Sequence, residues 1–462
     1  MASTSRRSRP PNQDLIRLIE FSGASRKALA HRVNELGRAA GLELDYTHTS
    51  VGNWCQRGMT PKWPVPRLIA QALGERLGRP VDCAEIAMPQ GETPDASVGL
   101  DFPRDPADAV RVATSFWSSV NRRDFLTGSS FAITAFTTPV TRWLVHPADR
   151  TADHRGGLRV GRTDLDELRF AADDARHWDS KYGGGNWKAN SVTACLHERA
   201  APLLAGSFSD DIGRELFSVT SELSRLAGWT AFDVGQHQAA QRHYIQALRL
   251  ARAGGDVQLG CYVLTTMAMQ ALLRGFAGEA VDMAQGAYER AKDTAAPRVL
   301  AFTKLIEARA HARDGNPRGA SKALAASETL LGQARPGGEE PGWIDFYNHA
   351  RLSADAAEIF RDLKNPKAAL AWNAQATAMA PGVFTRSVGM RLAIVATAHL
   401  QARDLDHGLQ LGNQAVDILA RVQSTRALDY VREFNTALAP WRREPAVRDF
   451  LHRTRKDLGI AA

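Results

Sequence analysis

The chain has 462 residues but only four cysteines, which are too far apart in sequence for a CxxC or zinc pattern. So few cysteines exclude a disulfide framework and favour a reducing compartment, the cytoplasm. No apolar stretch follows the N-terminal residues, so we expect neither a secretion signal nor a membrane partner. The cysteines are Cys55, Cys83, Cys195 and Cys261.

Catalytic motifs are also missing from the sequence. It contains no HExxH, Walker A or GxSxG pattern. A content of 44% hydrophobic and 23% charged residues is nevertheless ordinary for a globular chain with a proper core, and the length favours two or three domains. We therefore predict a protein that is not an enzyme and that requires no metal or cofactor.

Positive charge is concentrated near the start of the chain. Residues 1–80 contain 13 of the 58 Lys and Arg residues but only 6 of the 50 Asp and Glu residues, so they carry +7 of the net charge of +8. A small basic domain on a neutral body is typical of a nucleic-acid-binding protein. A basic disordered tail is the alternative, but this stretch is not poor in apolar residues.

The apolar residues of this basic region recur at helical spacing. Ser25 is expected to cap a second helix, 37–46 is interpreted as an extended turn, and Gly58 and Gly78 are expected to end a third and a fourth helix. The apolar positions expected to face inward are Leu15, Ile16, Leu18, Ile19, Leu29, Val33, Leu36, Val51, Trp54, Leu68, Ile69, Ala72 and Leu73.

The third helix would present a polar face once Val51 and Trp54 face inward. Asn and Gln can hold adenine through two hydrogen bonds, Arg can hold guanine in the same way, and hydroxyl groups reach phosphate oxygens. This pattern predicts a DNA-binding surface. The candidate DNA-contacting residues are Thr47, Thr49, Ser50, Asn53, Gln56, Arg57 and Lys62.

The run ALAHRVNELG…THTSVGNWCQRGMTPKWPVPRLIAQALGERLG resembles the Xre-type (lambda-repressor-like) helix-turn-helix family over about residues 12–80. In that family the recognition helix commonly ends in W-x-x-G before a proline, and an IA-x-x-L helix follows. Here the turn at 37–46 is long, and one extra residue separates Trp54 from Gly58; both bear on the register of the recognition helix. The resemblance implies binding of operator DNA as a dimer. A plain helical oligomerisation bundle is the alternative.

Residues 91–160 differ in character from the rest, because prolines punctuate them. Asn121–Gly128 reads NRRDFLTG and looks like a twin-arginine export signal followed by an uncharged run to Thr141. Export signals stand at the start of a chain, and a run that contains Gly128 and Pro139 makes a poor membrane span. We therefore interpret the stretch as a buried or docked helix that links two domains, and an exported protein is disfavoured.

Small residues recur in the C-terminal part with a period near 40. Each anchor residue has a small residue 12 positions before it and another seven positions after it. Two antiparallel helices approach closely only where side chains are small, and stacked pairs share a continuous core. The anchors are Ala240, Ala280, Ala320, Ala369 and Gly408, with Gly228, Ala268, Ala308, Ala357 and Ala396 before them and Ala247, Ala287, Ser327, Ala376 and Ala415 after them.

The first pair resembles the tetratricopeptide repeat, with Gly228, Ala240 and Ala247 at its small positions and Gly235 at its turn. The spacing of ~40 residues instead of 34 is a departure from that family. The resemblance implies an all-α protein in which a small helix-turn-helix domain is joined to a tetratricopeptide-like solenoid. The predicted boundaries are 1–90 for the DNA-binding domain, 91–160 for the linker and 161–462 for the repeats, with 424–460 as a cap and the glycines at 183–185 as a turn.

In tetratricopeptide repeats the first helix of each pair lines a concave groove. The resemblance places several arginines beside aromatic residues there, which suits an acidic or carboxylate-bearing peptide or small ligand. Pairing of these arginines with nearby acids such as Glu358 is the alternative. The candidate ligand- or partner-binding residues are Arg225, Trp229, Arg309, Arg313, Arg351 and Arg361.

The combination of these parts resembles actinobacterial regulators of sporulation and antibiotic production, and its layout is similar to that of peptide-sensing regulators of Gram-positive bacteria. The resemblance implies a cytoplasmic homodimer that binds a double-stranded DNA operator and whose repeats sense a small-molecule or peptide effector or a protein partner. An interaction scaffold without specific DNA binding is the alternative. The polar face of the third helix favours the regulator.

Overall fold

The computed structural model describes residues 10–39, 44–62, 64–88, 97–120, 130–145, 157–334, 340–376 and 384–460. These residues are helical or irregular, and none of them forms a strand beyond a single isolated bridge between Arg159 and Ser207. The predicted all-α class is therefore confirmed. The chain divides into two compact units, one up to Ala96 and one from Ser97. No helix in the described ranges has the length and apolar character needed to span a bilayer.

The N-terminal unit is a small helical bundle whose helix ends follow from local capping. Asn12 Oδ1 accepts from the backbone N–H of Leu15 at 3.0 Å, and Ser25 Oγ accepts from that of Ala28 at 3.1 Å, as expected for Ser25. Gly78, at a φ of +65°, ends the fourth helix, as predicted. The helices are α1 (Gln13–Phe21), α2 (Arg26–Ala39), α3 (His48–Gln56) and α4 (Val65–Leu77), followed by a 3-10 turn at Cys83–Ile86.

The second helix of this unit is longer than its glycine content suggested. The predicted turn begins at Gly37, but α2 continues to Ala39. The side chain of Leu44 packs where a Cβ of residue 37 would lie, so glycine is needed there to admit Leu44 rather than to end the helix. The bundle core contains most of the predicted apolar positions, among them Leu15, Ile19, Leu29, Val33, Val51, Trp54, Leu68, Ile69, Ala72 and Leu73.

The second unit is a helical-repeat solenoid, as predicted. Within the described residues its repeats are six consecutive antiparallel pairs, preceded by single helices. The preceding helices are α5 (Pro106–Val120), α6 (Thr137–Val145), α7 (Arg162–Tyr182), α8 (Trp187–Cys195) and α9 (Ala201–Leu204). The pairs are α10 (Asp210–Asp233) with α11 (His237–Ala253), α12 (Val257–Leu273) with α13 (Ala277–Ala291), α14 (Pro297–Arg313) with α15 (Pro317–Gln333), α16 (His349–Asp362) with α17 (Pro366–Gln375), α18 (Thr385–Gln401) with α19 (Leu405–Leu419), and α20 (Thr425–Ala437) with α21 (Pro445–Leu458).

The small residues of the 40-residue period lie where the helices of each pair meet. All fifteen are buried. A Cβ at Gly228 would lie 2.7 Å from the ring of Tyr244, and one at Gly408 would lie 2.8 Å from Leu400 Cδ2. The 40-residue period of small residues therefore reflects close contact between paired helices.

The stretch predicted as a linker contributes to the core of the repeat unit. Phe102, Phe136 and Trp143 belong to the same hydrophobic cluster as α11 to α14, and Trp117 packs in a second cluster with α7 and α10. The second unit accordingly begins at Ser97 and not at 161, because these aromatic side chains are buried against the repeats. The twin-arginine-like residues 121–128 lie outside the described residues.

The chain just after Ser97 is held by side chains of α11. Arg242 donates to the carbonyl of Val98 at 3.0 Å, Gln246 donates to that of Gly99 at 2.9 Å, and Arg249 donates to that of Arg104 at 2.9 Å. These bonds satisfy the carbonyl groups of a segment that has no regular secondary structure of its own. The start of the second unit is thus fixed by the first repeat.

The last repeat pair returns to the first one. Gly185 N–H donates to the carbonyl of Gln423 at 3.0 Å, and Gln423 N–H donates to that of Tyr182 at 3.2 Å. Gly184 N–H donates to Asp233 Oδ2 at 2.9 Å. The glycine triplet is a turn, as expected, and it brings the start of α20 against the end of α10.

Replacing Gly184 by alanine tests this closure. A Cβ there would lie 2.7 Å from the carbonyl oxygen of Thr230, so we expect the free energy of unfolding to fall by about 1–3 kcal/mol, as for other overpacked sites. The matched control is Gly278→Ala in α13, where no atom lies within 4 Å of the added carbon. Thermal melts that show equal stability for the two variants would contradict the close approach.

Candidate functional site

The predicted DNA-contacting residues all lie on the solvent side of α3 or just beside it. Val51, Trp54 and Cys55 bury the inner face of the helix, and Trp54 meets Tyr46 edge to face at 5.0 Å. None of the seven candidates is buried. Thr47, Thr49, Gln56, Arg57 and Lys62 are exposed, and Ser50 and Asn53 are half-buried.

Polar contacts fix both ends of α3 in the N-terminal unit. The Asn34 amide donates to the carbonyl of Tyr46 at 2.9 Å and accepts from its N–H at 3.0 Å. At the other end, Asn12 N–H donates to the carbonyl of Cys55 at 2.8 Å. The outer face of α3 is therefore held on a rigid support. A rigid support positions side chains for recognition of a fixed target.

Ser50 has a local structural partner that the sequence analysis did not foresee. Its hydroxyl accepts from the backbone N–H of Thr47 at 3.2 Å, in the first turn of α3. The spacing Thr47-x-x-Ser50 resembles a capping arrangement and could have revealed this contact. One acceptor site of Ser50 is consequently in use within the helix.

The exposed cations beside α3 differ from Arg32 and Arg79 of the same unit, which are held in ion pairs. Arg32 pairs with Glu35 and Glu75 at 2.9 and 2.8 Å, and Arg79 pairs with Glu85 at 2.8 Å. Arg57 and Lys62, by contrast, form no ion pair with any residue in the described part of the chain. Their charges remain available to an external anion such as phosphate.

A cavity of about 820 Å³ lies inside the second unit. Its wall is made by the first helices of all six pairs, together with α7 and the short 3-10 helix Gly342–Ile344. A volume of this size is typical of a small-molecule site. The charged and aromatic lining residues are Arg176, Asp179, Arg225, Trp229, Tyr262, Phe302, Trp343, Asp345, Phe346, Arg351, Phe384, Arg386 and Arg426.

One side of this cavity is an aromatic wall. The rings of Tyr262 and Trp343 stack with centroids 4.7 Å apart and an angle of 12° between their planes. Phe302 meets Tyr262 edge to face at 5.8 Å. The guanidinium of Arg225 lies over the Tyr262 ring, 4.6 Å from its centroid. The wall therefore combines flat apolar surface with one cation.

A second part of the lining is an ionic cluster around Trp229. Its Nε1–H donates to Asp179 Oδ2 at 2.9 Å, and Arg426 lies over its ring at 4.8 Å. Arg386 donates to Asp179 at 2.8 Å and to Asp233 at 2.9 Å, and Arg426 donates to Asp233 at 3.0 Å. Burial raises the pKa of Asp233, but the two guanidinium groups together with hydrogen bonds from Gly184 and Ser424 hold that pKa below its ordinary value.

Three of the six predicted ligand-binding residues line this cavity, namely Arg225, Trp229 and Arg351. The other three lie outside it, in a network of ion pairs. Arg309 contacts Glu358 at 2.8 Å, Arg313 contacts Asp362 at 2.8 Å, and Arg361 contacts Glu433 at 2.7 Å. These three arginines are therefore paired with nearby acids, which is the alternative stated from the sequence.

Four lining residues are not predicted from the sequence, namely Arg176, Trp343, Arg386 and Arg426. Arg386 and Arg426 lie in the first turns of α18 and α20, and the segment 424–460 that contains Arg426 is predicted from the sequence as a cap and not as a repeat. Arg176 belongs to α7, ahead of the repeats, and Trp343 belongs to a connection without helical periodicity. A search for arginines on the first helices of the pairs could have found only Arg386 and Arg426.

One group of potential metal ligands occurs in the described part of the chain. His399, Asp404 and His407 meet at the turn between α18 and α19. Asp404 Oδ2 lies 3.1 Å from His399 Nδ1 and 2.8 Å from His407 Nδ1, and Asp404 Oδ1 accepts from the N–H of His407. The carboxylate therefore caps α19 and links the two rings, and these hydrogen bonds account for the cluster.

Comparison with protein families finds a match in the N-terminal unit. Residues 15–89 match the SP15 N-terminal domain family, and this span begins within α1 and extends past the 3-10 turn that follows α4. No curated protein matches the chain. The match is thus confined to the N-terminal unit that carries α3.

The ion-pair network around Glu358 makes an acid-sensitive contribution to stability. Burial raises the pKa of Glu358, but Arg309, Arg361 and Arg313 outweigh it and lower the pKa from 4.5 to about 2. A lowered carboxyl pKa means that its stabilising contribution is complete above about pH 4.5 and is lost as the pH falls toward 2. Glu358→Gln should cost about 3–5 kcal/mol at pH 7, because it leaves buried arginines without this carboxylate.

Thermal melts between pH 7 and pH 3 measure this effect. The midpoint difference between the wild type and Glu358→Gln should shrink as the pH falls. Glu328→Gln, an exposed position on α15, is the matched control and should follow the wild type. A constant difference at every pH would show that Glu358 does not titrate as described.

Proposed function

We propose that this chain is a DNA-binding transcription regulator. Its N-terminal unit binds a double-stranded DNA operator, and its repeat unit senses a small-molecule or peptide effector. The observation that carries the proposal is the outer face of α3, a rigidly supported helix with exposed Asn, Gln, Arg and hydroxyl side chains in the most basic part of the chain.

The residues of this face fall into two roles. Asn53, Gln56 and Arg57 have side chains that form paired hydrogen bonds with base edges in the major groove. Thr47, Thr49 and Lys62 bind phosphate oxygens beside the groove and set the register of the helix. Ser50, whose hydroxyl already accepts from Thr47, contributes a weaker phosphate contact.

The remaining parts of the proposal rest on the family resemblances. A helix-turn-helix head that inserts one recognition helix binds palindromic sites as a homodimer, so we assign this state to the protein. The resemblance to actinobacterial regulators supports the further proposal that its targets are genes for sporulation and antibiotic production. The proposed regulator would act in the cytoplasm, where operator DNA lies.

The repeat unit supports the sensing role. Its cavity has the volume of a small-molecule site and is lined by the first helix of every pair, so a ligand there would contact all six repeats at once. A ligand that binds one arrangement of these helices more tightly than another shifts their populations. An effector bound there would act in this way on the DNA-binding state.

Replacement of Asn53 and Lys62 tests the DNA-binding role. Genomic fragments captured by the purified full-length protein at increasing salt should contain an inverted repeat. Asn53→Ala should lower affinity for that site by about 1–3 kcal/mol and relax its sequence preference, because one base contact is lost. Lys62→Ala should weaken binding to all sequences and reduce the slope of log K against log salt by about 1.

Lys322→Ala, an exposed lysine of α15, is the matched control for the loss of one positive charge and should leave both quantities unchanged. Unaltered affinity in the Asn53 variant would refute the assignment of α3. Capture of DNA without any shared sequence would favour the alternative, an interaction scaffold whose basic head has no specific site.

A further inference from the structure

Arg225 is an arginine buried in the second unit without an anionic partner. It lies on α10, is only 3% exposed, and lines the large cavity. Its Nε–H has no acceptor, and no carboxylate in the described ranges forms an ion pair with it. An arginine stays protonated in proteins, so burial of its charge without a partner carries a large free-energy penalty.

The other arginines of the cavity do not share this condition. Arg176 pairs with Asp173 and Glu222. Arg351 pairs with Asp355 at 2.6 Å. Arg386 pairs with Asp179 and Asp233, and Arg426 pairs with Asp233. Arg225 is thus the arginine of this lining whose charge an incoming anion would neutralise.

The surroundings of Arg225 limit the shape of that anion. Its guanidinium lies over Tyr262, which is stacked on Trp343, and Phe302 and Phe346 extend the apolar surface with rings 5.4 Å apart. Flat rings bind such surfaces by stacking and by edge-to-face contact. A ligand that places its charge at Arg225 would therefore lay an aromatic ring along this wall.

The surroundings of Arg225 also limit the charge of the anion that can bind there. Asp179 and Asp345 line the same cavity, and Asp345 already pairs with Arg298 at 2.9 Å. A multiply charged group would meet these carboxylates after neutralising only one free cation. A carboxylate carries a single negative charge and can accept two parallel hydrogen bonds from a guanidinium group.

We infer that the cavity binds a small aromatic carboxylic acid, with its carboxylate on Arg225 and its ring against Tyr262 and Trp343. The inference rests on the proposed sensing role only for its regulatory meaning, because the site itself is defined by the second unit. The ligand would supply the counter-charge that the chain does not provide.

The binding test uses the full-length protein without DNA. The probes are naphthalene-2-carboxylate, the uncharged naphthalene-2-carboxamide, the non-aromatic cyclohexanecarboxylate and the doubly charged 2-naphthyl phosphate. Quenching of tryptophan fluorescence reports occupancy beside Trp229 and Trp343, and a rise in melting temperature reports binding to the folded state. We expect the naphthoate to bind saturably and each other probe to bind at least about tenfold more weakly, because each lacks a matching charge or ring.

The variant Arg225→Met retains the length of the side chain and removes its charge. It should weaken binding of the naphthoate about 10- to 100-fold, the effect of losing a charged hydrogen bond. Its melting temperature without ligand should equal or exceed that of the wild type, because an uncompensated buried charge is removed. Arg421→Met, at an exposed position, is the matched control and should bind as the wild type does.

Four results would overturn the inference. They are unchanged naphthoate binding by Arg225→Met, equal binding of the carboxamide, tighter binding of the naphthyl phosphate, and no binding of the naphthoate at millimolar concentration. DNA is absent from this experiment, so failure of the Asn53 and Lys62 predictions would leave it intact. Conversely, loss of naphthoate binding would not bear on DNA recognition by α3.

Discussion

The second unit depends on one buried carboxylate. Asp233, at the end of α10, is fully buried and accepts hydrogen bonds from Arg386 of α18, Arg426 of α20 and the backbone of Gly184. Four segments that are distant in sequence are joined at this residue. A buried charge is tolerated only where its partners are complete, so this constraint requires the last repeats to meet the first.

The cavity is a consequence of that closure. Stacked helix pairs alone would form an open groove, but the return of α20 to α10 brings the first helices of all pairs around a common space. The arginine side chains on those helices fall into two groups. Arg309, Arg313 and Arg361 find acids on neighbouring helices and hold the repeats together. Arg225 finds none, and its charge faces the space between the helices.

Much of the fold could be predicted because its signals are local. Helix caps at Ser25 and Gly78, the inward stripe of Val51 and Trp54, and the 40-residue period of small residues all reflect contacts within a turn or between consecutive helices. The exposure of the α3 face follows from the same periodicity, since polar residues are left outside when apolar ones turn inward. Contacts across the chain, such as Phe102 and Trp143 against the repeats, leave no such pattern.

The sequence by itself therefore determined the helical class, the repeat unit of two helices, the basic head and the residues that face solvent on α3. Only the tertiary structure decided which arginines of the cavity lining are paired and that Arg225 is not, since partners such as Arg386 and Asp179 are 207 residues apart. Arg309 and Glu358, which pair outside the cavity, are 49 residues apart. Charge pairing at such separations depends on how the repeats stack and close. Residue type and local spacing do not encode it, because every arginine has the same affinity for a carboxylate until the fold brings one within reach.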